Sequence, residues 1–89
     1  MENVFEKGTV VISRAGHDKS IPMVVYEQID QTRVFVVDGK NRKVEKPKLK
    51  NVHHLQKTNH FIDLKPIDNL KDNGEKNAYI RKQLKQIGY

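Results

Sequence analysis

The stretch TVVISRAGHDKSIPMVVYEQIDQTRVFVVDG, residues 9–39, decides the fold. Thr9 to Ser13 is a β-branched run bounded by Gly8 and Gly16, which reads as a strand. Ala15 to Ser20 is a polar loop, closed by Pro22 because proline cannot donate within a central ladder. Met23 to Ile29 reads as a second strand. Val24, Tyr26 and Gln28 fall on one face, and Met23, Val25, Glu27 and Ile29 on the other. Asp30-Gln31-Thr32 is a short hairpin connection, and Arg33 to Val37 a third strand. Asp38-Gly39 is a strong turn signal.

Outward from this stretch, Val4-Phe5 before Gly8 reads as an entry turn. Arg42 to Glu45 is expected to pair briefly as a fourth strand, and Val52 to Leu55 as a fifth after the Pro47 interruption. Residues 58–74, with Pro66, Gly74 and scattered apolar side chains, read as a loop covering the sheet. From about Glu75 the period becomes helical. Ile80, Leu84 and Ile87 form one stripe at i, i+4 and i+7, with Arg81, Lys82 and Lys85 off it. Asn73 or Asn77 is the expected N-cap and Gly88 the stop. Phe61, Ile62 and Leu64 are expected to complete a small second core under that helix. Short strands, tight turns and a last helix predict a mainly β fold, a small barrel with a C-terminal α-helix, its sheet edges removed by closure.

Eighty-nine residues make one small domain, which buries only about 60–65% of its unfolded surface. The expected division is a barrel over 1–57, including a basic segment at 40–57, and a loop with the packed helix over 58–89. Without cysteine, disulfides, Cys-ligated zinc, Fe–S clusters and thiol catalysis are excluded. Charged residues are 31% of the chain, so no segment is expected to span a bilayer. MENVFEKG lacks the apolar run of a signal peptide. The expected setting is cytoplasmic, and the free protein a monomer.

The net charge of +6 is unevenly placed. Residues 1–39 hold four bases and six acids, residues 40–57 seven bases and one acid, and residues 58–89 six bases and four acids. One short segment thus supplies the excess, which favours a polyanionic partner. A solvated polar connection would carry the same charges. Lys40, Arg42, Lys43, Lys46, Lys48 and Lys50 are the candidate phosphate contacts of that segment, stiffened by Pro47. Arg14 and Lys19 flank the first loop, where Gly16 admits a close backbone approach and His17 adds a titratable group. Asp18 would repel phosphate and is expected to fix its turn through an Asx-type bond. Glu45 is expected to pair with Arg33 or Lys43.

Phe5, Tyr26, Phe35 and Phe61 are expected in the core, while Tyr79 and Tyr89 fit either core or base stacking. With so few aromatics, recognition of shape and phosphate in folded RNA fits better than single-strand readout. His17-Asp18 has no nucleophile arranged beside it, so no enzyme activity is expected. His53 and His54, taken as strand neighbours, would face opposite sides, and with His60 they make a thin set for a metal. No metal, cofactor or catalytic residue is expected.

FEKGTVVISRAGHDKSIPMVVYEQIDQTRVFVVDG, residues 5–39, resembles the KOW motif. The continuation NRKVEKPKLKNVHHLQ, residues 41–56, is similar more narrowly to small bacterial KOW-domain RNA-binding proteins akin to the fourteen-e class of large-subunit ribosomal proteins. There Val-Asp-Gly runs into Arg-Lys-x-Glu-Lys-Pro-Lys, as Val37 to Lys48 does here, and His54-Leu55 closes the match. NAYIRKQL, residues 77–84, is weakly similar to their closing helix. His17 and Ser20 stand where the family commonly has Arg or Lys and a second glycine. The resemblance implies an SH3-like barrel that binds ribosomal or structured RNA through the first loop and the neighbouring basic loops. Ribosomal proteins are the second expected class of partner. The opposing expectations are an SH3-like module that binds proteins as an accessory of translation or transcription, and a transcription-elongation KOW module.

Overall fold

The computed structural model describes residues 5–89, so Val4 of the expected entry turn lies outside it. Thr9–Ser13 forms β1, Pro22–Gln28 β2 and Arg33–Val37 β3, each within a residue of the bounds expected. β4 is Lys48–Asn51, β5 is Leu55–Phe61, and the helix α1 is Asn73–Gln86. The strands make one antiparallel sheet in the order β4-β3-β2-β1-β5.

The sheet does not close. β4 and β5 each pair with one neighbour, which corrects the expectation that closure removes the edges. It is nevertheless strongly curved, by a simple length argument. In a flat sheet the two edges would stand about 19 Å apart, four strand spacings. Yet a single 3₁₀ turn, Val52–His54, leads from one edge strand to the other, and three such residues rise only about 6 Å. Register shifts at Thr9/Val11 between β1 and β5, and at Val25/Glu27 between β2 and β3, supply the local bends.

Both faces of the sheet are covered, which is why its central strands are β-branched almost throughout. Val11, Met23, Val25, Val34, Val36 and Leu55 fill the concave side. Val10, Val24 and Val37 fill the convex side with Ile62, Leu64, Ile67, Ile80 and Leu84. The stripe of α1 is therefore buried against the sheet, with Ile80 fully buried, Leu84 nearly so and Ile87 packed at the margin. Ile62 and Leu64 lie under the helix as expected. Phe61 does not, for it is 58% exposed on the last position of β5 and lies over Gly8.

Four local expectations change. Arg42 to Glu45 is a turn without ladder pairing, because the Val44 N–H donates to the Asn77 side chain rather than to a strand. Val52 to His54 turn as 3₁₀ and only Leu55 enters β5, which continues to Phe61 through part of the expected loop. The loop beyond holds a 3₁₀ segment, Lys65–Asn69. α1 begins at Asn73, capped by Asp72, whose Oδ1 accepts from the Gly74 N–H at 2.9 Å. Asp caps a helix as well as Asn does, and Glu75 adds a favourable charge in the first turn. At the other end Gly88 stops the helix with φ +103°.

Candidate nucleic-acid interface

The basic segment is a shaped turn between β3 and β4, clamped at both ends. At its start Asp38, largely buried, accepts through Oδ1 from the backbone N–H groups of Lys40, Asn41 and Arg42 at 2.8–2.9 Å. One carboxylate thus satisfies three consecutive donors and fixes the turn. The helix holds the middle. Asn77, buried within α1, accepts from the Val44 N–H at 2.9 Å and donates from Nδ2 to Glu45 Oε1 at 2.8 Å. Arg81 donates to the Gly39 carbonyl. Val44 inserts into the core under the helix.

Asp18 holds the far side, and here the structure departs from the sequence reading. Its carboxylate is buried and spans the molecule rather than its own turn. It accepts from Arg42 Nε at 3.2 and 3.3 Å, lies 3.1 Å from Arg42 Nη2, and lies 3.5 Å from Lys50 Nζ. Lys50 is cross-strand partner to Val34, so its stem runs over the concave side and its ammonium stands beside Gly16. Burial alone would push the Asp18 carboxyl up. The hydrogen bond from Arg42 and the charges of Arg42 and Lys50 outweigh it and hold the group below its ordinary value. Glu45 is within ion-pair distance of neither Arg33 nor Lys43. Its carboxyl is held low first by the Asn77 hydrogen bond, and Lys43 adds a smaller through-space effect. Arg33 pairs instead with Asp30 at 2.8 Å, across the β2–β3 hairpin.

The ten candidate residues therefore fall into three groups. Arg42 and Lys50 are tied to Asp18. Arg14, His17 and Lys19 are exposed on the first loop around a 3₁₀ turn, with Gly16 at φ +78°. Ser20 takes φ +70°, a left-handed backbone on a residue other than glycine. Lys40, Lys43, Lys46 and Lys48 are exposed, and none is within ion-pair distance of a described acidic residue. These four surround a depression of about 660 Å³ that also has Asn41, Arg42, Glu45 and Pro47 in its walls.

Sequence reasoning gives other roles to two residues that shape the site. It expects Asp18 to fix its own turn and Asn77 to be a candidate helix cap, whereas Asp18 holds Arg42 and Lys50, and Asn77 holds Val44 and Glu45 from within α1. Asn in the interior of a helix, on the side of its apolar stripe, is the one local sign that Asn77 has a tertiary partner. His53 and His54 sit in the 3₁₀ turn rather than on a strand, and His60 lies at the far end of β5. Among the described residues no three metal-ligating side chains converge, and no helix is long and apolar enough to cross a membrane. No family model matches the chain, and no curated protein matches it.

The Asp18 latch has a measurable consequence. Asp18→Ala leaves Lys50 nearly buried without a counter-charge, and is expected to destabilise the fold by about 3 kcal/mol, the low end for a broken buried pair, because Arg42 keeps a third of its side chain in water. The pH dependence follows from the lowered carboxyl. A depressed group contributes its stability above its unfolded value, about pH 4, and loses it as the pH falls toward the folded value. Acid melts of the wild type should therefore fall in midpoint below about pH 4, and those of Asp18→Asn should fall less steeply. Identical acid slopes in the two proteins would show that Asp18 does not couple to folding.

Proposed function

We propose that this chain is a small RNA-binding protein of the KOW type, its curved sheet being an SH3-like barrel whose edges stay open. Structured RNA, ribosomal RNA included, is the partner, and the setting is the cytoplasm. The observation that carries the reading is the depression rimmed by Lys40, Lys43, Lys46 and Lys48. Four ammonium groups without an acidic partner among the described residues are held on and just after a turn fixed by Asp38, Asn77 and Asp18. Cations on an already ordered backbone lose little further entropy on meeting a phosphate chain. The fold supports the reading too. The strand order, with a 3₁₀ turn between the last two strands, is what an SH3-like barrel requires. The resemblance of Val37 to Lys48 supplies the link to ribosomal RNA.

Phosphate contacts by these four lysines predict a steep salt dependence. Raising salt from about 50 to 200 mM should weaken binding to a stem-loop RNA on the order of a hundredfold. Lys43→Glu with Lys48→Glu should flatten the logarithmic slope by about 2, with no change in melting temperature. Fluorescence anisotropy across a salt series measures both. An affinity that ignores salt, or no affinity for RNA at low salt, would overturn the proposal.

A further inference from the structure

A second depression adjoins the lysine-rimmed one and differs from it in chemistry. It measures about 370 Å³, near the lower end of the range that small-molecule sites take, roughly 300–1,000 Å³. Ile21, Pro22 and Leu84 give it apolar walls, Arg81 and Lys40 give it cations, Asp38 is an acid already engaged by three backbone N–H groups, and Tyr89 is also part of its lining. Lys40 and Asn41 line both depressions, so the two are one continuous surface with a phosphate-suited half and a half-apolar half.

Tyr89 is 44% exposed yet fixed in place. Its N–H donates to the Leu84 carbonyl at 2.9 Å, while the Gly88 N–H donates to Lys85 O at 3.1 Å. The pair is a Schellman closure of α1, with Gly88 in the left-handed position. On the sheet side His60 meets the tyrosine ring edge to face, with centroids 5.6 Å apart at 89°. An aromatic ring pinned by backbone and by a second ring, with much of its surface in water, is a platform already ordered for stacking.

We infer that Tyr89 stacks one unpaired nucleobase of an RNA whose neighbouring phosphates lie on Lys40, Lys43, Lys46 and Lys48. This rests on the RNA reading above and narrows it: the partner is a folded RNA that presents a bulged or looped-out nucleotide beside a paired stem. The continuity at Lys40 and Asn41 carries the inference. The backbone of such an RNA stays on the lysines while the flipped base turns over Asn41 into the half-apolar pocket. Arg81, held by its bond to the Gly39 carbonyl, offers a fixed cation in the lining of that pocket. Asn41 is exposed and lines both depressions, so its amide is available to a base edge there. A fully paired helix keeps its bases stacked and has nothing to place there.

The test compares two labelled stem-loops, identical except for one bulged nucleotide in the stem, titrated at low salt. Wild type is expected to bind the bulged RNA on the order of tenfold more tightly than the paired one, the preference one stacked base confers. Tyr89→Ala should bind both RNAs with the affinity wild type has for the paired one. Tyr89→Phe should keep the preference. Tyr89→Phe should melt as the wild type does, while Tyr89→Ala, which loses the edge-to-face contact with His60, should melt several degrees lower and still be folded at the temperature of the titration. Equal affinity of wild type for the two RNAs, or a preference that survives in Tyr89→Ala, overturns the stacking platform and leaves the phosphate reading standing. If wild type binds neither RNA, both readings fall and the surface passes to a protein partner.

Discussion

A chain ending at Asp72 is expected to lose cooperative unfolding altogether. Without α1 the convex side of the sheet exposes Val10, Val24, Val37, Ile62, Leu64 and Ile67, which the helix now covers with Ile80, Leu84, Tyr79 and Ile87. Single Leu or Ile to Ala changes at fully buried sites cost about 2–5 kcal/mol each. The whole stability of a chain this size is roughly 4–13 kcal/mol. Removing two such side chains together with their backbone consumes most or all of it. The basic turn loses its support as well, because Asn77 and Arg81 go with the helix. Thermal melts by circular dichroism and amide dispersion in a proton–nitrogen spectrum measure the outcome. Leu84→Ala is the milder companion, expected to cost about 2–4 kcal/mol with the fold kept. A truncated chain that still melts cooperatively near the wild-type midpoint would make the helix an independent tail, and the convex core a misreading.

The sequence made the central strands legible because their signal is local. Thr9 to Ile12 are β-branched throughout, Val34, Val36 and Val37 with Phe35 make the third strand β-branched or aromatic on both faces, and Gly8 and Asp38-Gly39 punctuate them. The helix was legible through its stripe, Ile80, Leu84 and Ile87. What was hidden depends on partners far along the chain. Val44 alternates with charged neighbours as a strand residue would, but its N–H is claimed by Asn77, thirty-three residues on. Asp18 looks like a turn residue, and nothing within its loop says that Arg42 and Lys50 will arrive from across the sheet. So the charge of the basic segment was readable, but not its division into two cations tied to Asp18 and four left to solvent. Phe61 was misplaced for a third reason. Its neighbour Ile62 takes the buried position after β5, and the alternation leaves Phe61 facing out. Tyr89 carries no local mark of its role, since its platform is made by the helix closure and by His60 from β5.

Gly39→Val is expected to do the greatest damage of any single substitution in the basic turn, and comparison with Gly16→Ala shows why. Both glycines have left-handed backbones of almost the same angle, φ +76° at Gly39 and φ +78° at Gly16. A side chain at either incurs backbone strain of about 1–2 kcal/mol. At Gly16 nothing else opposes it, since the nearest atom to a new Cβ is the flexible Lys50 ammonium at 3.8 Å. At Gly39 the new Cβ would lie far inside contact distance of the Asn77 carbonyl oxygen, and 3.1 Å from Arg81 Cγ. That oxygen belongs to the backbone of α1 and cannot swing aside, so turn and helix must separate. Separation pulls on the bond from Arg81 to Gly39 and on the bond from the Val44 N–H to Asn77. Forced overpacking adds about 1–3 kcal/mol, and a buried N–H left unpaired about 1–3 more. The expected loss at Gly39→Val is therefore about 3–8 kcal/mol, against about 1–2 kcal/mol for Gly16→Ala. For a domain of this size each kcal/mol moves the midpoint by about 4–8 °C, so the two variants should separate clearly in a melt. Gly39→Ala keeps the clash with a smaller side chain and should fall between them, which secures a folded variant to measure. The same variant should weaken RNA binding while Gly16→Ala leaves the four-lysine contribution to the salt slope intact. Equal destabilisation by Gly39→Ala and Gly16→Ala would mean that the helix does not press on the turn, and that the basic segment owes its shape to Asp38 and Asp18 alone.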